Sequence, residues 1–326
     1  MRQRNISIDI LKCIAAILIT NSHMGPLYGK YSILATGGAI GDVLFFFCSG
    51  FTLFLGRMGR FDNWYKRRIH RIYPTVFAWA IVGAFIFNYH NDMRYTVING
   101  GGWFVTCIMI YYVILYFIQR YMLNKLKLAF AIAAGICIIW YIVIDRPIGY
   151  NMYGYTYFKW CHYFLFMLMG AMMGISRKER TYSLKWDGLK LAGSIAIYYI
   201  YLFIGRKIAI VDELQILSLI PLLMTTFYFY KICNSNALKY CYEHKIAGWW
   251  IKFIGGLCLE IYLIQESLFT DKMNSIFPLN LIIMFGIILI GAYLLRCCLA
   301  FSVKHLKMVN ITGKKSQKHF NTHAYT

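Results

Sequence analysis

The chain has 326 residues, of which 60% are hydrophobic, 18% aromatic and only 14% charged, with a formal charge of +21. A soluble domain carries roughly a quarter charged residues, so this composition, with apolar runs of about 20 residues, excludes a soluble globular protein and predicts an all-α bundle of membrane helices. The positive charge does not call for a nucleic acid, because no nucleic-acid motif accompanies it and basic loops beside anionic lipid headgroups account for it.

Ten spans are predicted, at about 8–28, 38–56, 72–89, 101–119, 128–145, 158–175, 188–204, 213–231, 250–269 and 279–303. Arg2 and Arg4 precede an apolar run with no small-residue cleavage site, so that run reads as a retained helix. With the N-terminus in the cytoplasm, the inner segments hold Arg57, Arg60, Lys66, Arg67, Arg68, Arg71, Arg120, Lys125, Lys127, Arg177, Lys178, Arg180, Lys185 and Lys190. They also hold Lys231, Lys239, Lys245, Lys252, Lys304, Lys307, Lys314, Lys315 and Lys318. The outer segments hold only Lys30, Arg94, Arg146, Lys159, Arg206, Lys207 and Lys272, while Lys12 and Arg296 fall inside spans. This asymmetry places both termini in the cytoplasm. No connection is long enough to bury a core of its own, so residues 1–326 read as one membrane domain with a polar tail after 303. None of the 10 cysteines falls in an outer loop and none has zinc spacing, so neither a disulfide framework nor a metal site is expected.

The first span carries Asp9, Lys12, Asn21, Ser22 and His23. Ionisable groups in a spanning helix are costly and point to function by default. Lys12 and His23 are separated by about 16 Å along the axis. Asp9 and Lys12 read either as groups that snorkel to the inner surface or as ligand contacts, while neutral His23 suits proton acceptance. In the second span, Asp42 is expected near the depth of His23, either orienting it, binding substrate hydroxyls or simply solvated at the interface. Ser49 and Gly50 read first as close-packing residues.

Before the third span runs WYKRRIHRIYP, Trp64 to Pro74. It reads either as an ordinary basic loop or, if helical, as a phosphate site with Arg67 and Arg71 on one face. Outer tyrosines Tyr150, Tyr153, Tyr155 and Tyr157 suit either sugar stacking or an interfacial belt. The ninth span holds Glu260, Gln265 and Glu266, whose carboxylates should face the bundle or a wet cavity. Spaced six apart, Glu260 and Glu266 do not share a helical face and so serve separate roles.

In order and spacing these residues resemble the integral-membrane acyltransferase family three of bacterial surface-glycan O-acetylation. The resemblance rests on Asp9, Lys12 and His23, then Phe45-Phe46 with Ser49-Gly50-Phe51, then Arg67-Arg68, Arg71 and Pro74, then Trp103-Phe104 and Ile261-Tyr262-Leu263-Ile264. It departs at Lys12, where arginine is usual, and at Gln265, where many members carry histidine. The resemblance implies transfer of an acetyl group from acetyl-CoA to a hydroxyl of an envelope sugar or polysaccharide, in the bacterial inner membrane. With the residue readings above, catalysis is expected at His23, as general base or as acceptor of the acetyl group itself, with Asp42 and Glu266, and donor binding at Lys12, Arg67, Arg68 and Arg71. Asp9, Ser49, Trp103, Glu260 and Gln265 serve substrate or packing. Intramembrane charge on ten spans is equally a property of a transporter or flippase for a lipid-linked sugar.

Overall fold

Within hydrocarbon the backbone has no water to bond, so apolar runs must satisfy their N–H and C=O groups internally. The computed structural model is accordingly helical, with no strand among the described residues. It describes residues 5–89, 92–146, 150–154, 156–176 and 181–322, with side chains as far as 300. Arg2, Arg4, Tyr155, Arg177, Lys178, Arg180 and the side chains of the basic tail lie outside the described residues.

The main helices in chain order are α1 (Ile6–His23), α2 (Gly38–Phe54), α3 (Phe61–Ile86) and α4 (Gly102–Tyr121), followed by α5 (Leu126–Val143), α6 (Lys159–Ile175), α7 (Leu184–Gly205) and α8 (Leu219–Cys233). They end with α9 (Lys245–Gly256), α10 (Cys258–Leu268) and α11 (Leu279–Thr322). Asn5 caps α1 by accepting from the Ser7 amide, which satisfies one of the orphan donors of the first turn. α1 packs against α2, α9 and α10 and buries Leu11 and Ala15 completely.

The tightest contact is α2 against α6. A Cβ on Gly50 would lie 1.9 Å from the Met167 carbonyl oxygen, and one on Gly170 would lie 2.0 Å from that of Phe47. Only glycine allows backbones this close, so Gly50 is a packing residue.

Three elements take a form that the sequence left open or did not predict. α3 starts at Phe61, so the basic run is not a loop but the first turns of a helix that continues through Pro74. The ninth predicted span is broken, with α10 turned 73° from α9 at Leu257. Gly255 and Gly256 precede the break, and glycine lowers the cost of leaving the helix there. The segment after 303, expected as a polar tail, continues α11 to Thr322.

Among the described residues seven helices are long and apolar enough to cross a membrane, and up to nine spans result if each of two bent pairs is one. The remaining predicted span, the sixth, is α6, whose 17 residues sit at the lower limit of about 17 for a crossing. None of the ten cysteines forms a disulfide, although the Cys137 and Cys161 sulfurs lie 2.9 Å apart.

Candidate active site

A cavity of ≈ 320 Å³ opens between α1, α2, α3, α4, α10 and α11. Helical periodicity selects its walls. Lys12, Ala16, Ile19 and Thr20 line it from α1, and Phe45, Ser49 and Thr52 from α2, each set falling on one face of its helix. α3 contributes Arg71, Ile72 and Thr75, and α10 contributes Glu260, Tyr262 and Gln265. Arg296 reaches in from α11. The cavity therefore brings together Lys12, Ser49, Arg71, Glu260 and Gln265 out of the residues selected from sequence.

One helical turn beyond Thr20 on α1, His23 Nδ1 lies 3.1 Å from Glu266 Oε1. The contact assigns Nδ1–H as donor to the carboxylate and leaves Nε2 with its lone pair available. The His23 and Glu266 side chains are 36% and 69% exposed, so the pair is accessible at the protein surface.

Asp42 is not the group that holds His23. It accepts from the Tyr163 hydroxyl at 3.3 Å. Tyr163 stacks on Trp103, with ring centroids 5.7 Å apart, and the Lys159 ammonium lies 4.0 Å from the centroid of the same indole. Trp103 is thus occupied by Lys159 and Tyr163, which makes it a support for the Asp42 cluster.

The opening pair of acidic and basic residues separates. Lys12 lines the cavity, but Asp9 is 7% exposed and accepts from the Tyr242 hydroxyl at 2.8 Å. The snorkelling alternative for Asp9 is thereby corrected: it ties α1 to the helix Asn236–Glu243. The arginines separate too. Arg71 lines the cavity, whereas Arg67 donates to the Arg57 carbonyl at 3.4 Å and Arg68 lies over the Trp64 and Tyr112 rings. Consecutive helical residues point about 100° apart, which turns Arg68 away, while Arg67 shares the face of Arg71 but lies about 6 Å nearer the start of the helix.

Glu260 is 3% exposed and receives a bidentate fork from Arg296, with contacts of 3.0, 2.9 and 2.8 Å. The same guanidinium donates to the Gly256 carbonyl, one of the acceptors that the break between α9 and α10 leaves without a helical partner. Arg296 was visible in sequence only as a charge inside the last span, and Lys159 only as an outer-loop cation. Thr20 and Tyr163 gave no signal, because nothing in their local pattern tells which face meets the cavity. Of the outer tyrosines, Tyr153 packs inward against Ser218 and Tyr198 and Tyr150 bonds Thr156, while Tyr157 is exposed.

A family model described as an acyltransferase domain (Acyl_transf_3) matches residues 5–297. No curated protein and no solved structure matches the chain. Every residue that lines the cavity lies within the matched stretch, as does the His23–Glu266 pair, and with most of its length covered the chain belongs to acyltransferase family 3, as a multi-pass membrane acyltransferase.

Proposed function

We propose that the protein transfers an acetyl group from acetyl-CoA to a hydroxyl of a cell-envelope sugar or polysaccharide. One observation carries the reading: cationic Lys12 and Arg71 line a cavity that follows α1 to Thr20, and the His23–Glu266 pair stands one turn further on. About 16 Å of helix separates Lys12 from His23.

The donor is anionic at its nucleotide end. Its phosphates meet Arg71, whose guanidinium fork matches phosphate oxygens, and Lys12, a point charge that binds them without fixed geometry. The arm then follows the Ser49 and Thr52 face and brings the thioester to His23. His23 Nε2 takes the proton of the acceptor hydroxyl as general base, and Glu266 keeps the tautomer and stabilises the imidazolium that forms. Asp42, held by Tyr163, offers a carboxylate to the remaining sugar hydroxyls. The basic asymmetry of the loops supports a donor end at the cytoplasmic face of a bacterial inner membrane, with both termini in the cytoplasm.

The test is CoA release by the purified protein in liposomes, given acetyl-CoA and envelope polysaccharide from cells lacking the gene. Acceptor-dependent CoA release and new acetyl esters by NMR are expected. His23→Ala retaining the full rate would overturn the role of His23, and sugar translocation without thioester consumption would indicate a flippase.

A further inference from the structure

Thr20 and Gln265 are both fully buried and both line the cavity. Thr20 Oγ1, Gln265 Oε1 and Gln265 Nε2 have no hydrogen-bond partner in the protein. That is unusual for a helical hydroxyl, which ordinarily bonds back to the carbonyl three or four residues earlier. Thr52 does so to Cys48 at 2.9 Å, Thr226 to Leu222 at 3.0 Å and Ser22 to Ile19 at 2.7 Å. Buried polar groups are nearly always bonded, and an exception in a cavity calls for a ligand. Other unpartnered buried atoms, such as Gln119 Oε1, Thr225 Oγ1 and Asn280 Oδ1, belong to residues outside the cavity wall.

Position adds a second argument. Thr20 precedes His23 by three residues on α1, and Gln265 adjoins Glu266 on α10. The two free donors therefore lie on the cavity side of the His23–Glu266 pair, where the donor's thioester must pass to react.

We infer that the Thr20 hydroxyl and the Gln265 amide form the clamp for the thioester carbonyl, donating to its oxygen in the ground state and more strongly to the oxyanion. This rests on the acyl-donor reading above. In the step, the acceptor oxygen bonds to the carbonyl carbon, its proton passes to His23 Nε2, and the carbonyl electron pair moves onto the clamped oxygen. Collapse restores C=O and breaks the C–S bond, and the departing sulfur takes the proton from His23 as free CoA. Donors preorganised on a developing oxyanion act in the transition state, so their loss lowers kcat more than binding. An amide does not ionise near neutral pH, so Gln265 acts by hydrogen bonding alone.

The experiment compares wild type, Thr20→Val, Thr20→Ser and Gln265→Leu in liposomes, measuring CoA release with the polysaccharide acceptor and binding of both CoA and acetyl-CoA. Thr20→Val is isosteric, so a folding loss is separable through binding of CoA, which carries no carbonyl on its sulfur. Expected are a fall in kcat of roughly 10²-fold for Thr20→Val and Gln265→Leu, unchanged CoA affinity, loss of any preference for acetyl-CoA over CoA, and recovery in Thr20→Ser. Variants with kcat within about twofold of wild type, or with CoA affinity falling in parallel, overturn the clamp and leave the donor reading standing. A wild type that neither binds CoA nor releases it overturns both.

Discussion

His23 and Glu266 form the one direct imidazole–carboxylate contact in the described residues, at 3.1 Å. His23→Ala is expected to lower acyl transfer by at least ~10²-fold, the range for a positioned general base. Glu266→Gln should retain folding yet lower kcat by about tenfold or more, because an amide neither enforces the tautomer nor stabilises the imidazolium. Steady-state CoA release checks both, and an unchanged rate in Glu266→Gln would remove the carboxylate from the mechanism. Asp9 behaves differently although it shares the helix. Its bond to Tyr242 is a strut, so Tyr242→Phe should cost stability of about 1–3 kcal/mol, the penalty for leaving a buried acceptor short of a donor, with the loss read in thermal unfolding. Sequence identified Asp9, Lys12 and His23 as costly groups and expected Lys12 at the donor, His23 at the reacting hydroxyl and Asp9 at substrate or in packing, without showing which contacts each makes. Lys12 and Asp9 share a helical face, but Asp9 lies about 4.5 Å nearer the start of α1, where it meets Tyr242 instead of the cavity.

Among the elements, the broken span formed by α9 and α10 depends most on one side chain. Arg296 neutralises Glu260 and also takes the Gly256 carbonyl. A fully buried pair broken on one side loses ~3–5 kcal/mol. The Arg296 side chain is 42% exposed, and water screening reduces the expected loss in Arg296→Ala to about 2 kcal/mol. Thermal unfolding in detergent measures it, and no shift would mean that the break is held by packing alone. The α2–α6 contact sets the opposite limit. Gly50→Ala drives a methyl into the Met167 backbone and should cost about 3 kcal/mol or more, since the neighbour is main chain and cannot rotate away. Sequence pattern located both helices, but it read Gly50 and Ser49 alike. Their separation into a packing residue and a cavity residue follows from α2 facing α6 on one side and the cavity on the other.

For the whole molecule, the asymmetry of basic residues predicts orientation. A cysteine introduced at Lys272→Cys should react with an impermeant thiol reagent added outside intact cells, and one at Arg57→Cys should not; the reverse pattern would invert the proposed topology. Membrane character, the all-helical class, approximate span positions and the family were all legible in the linear chain, because hydrocarbon demands long apolar runs with internally satisfied backbone and charges are too costly to occur there without cause. Which charges meet was decided by the fold. Glu266 rather than Asp42 reaches His23, Arg71 rather than Arg67 or Arg68 reaches the cavity, and Arg296 finds Glu260 from 36 residues away. Those pairings depend on the rotation of each helix about its axis and on the break at Leu257. Packing between helices distant in sequence sets both, and no local periodicity encodes them.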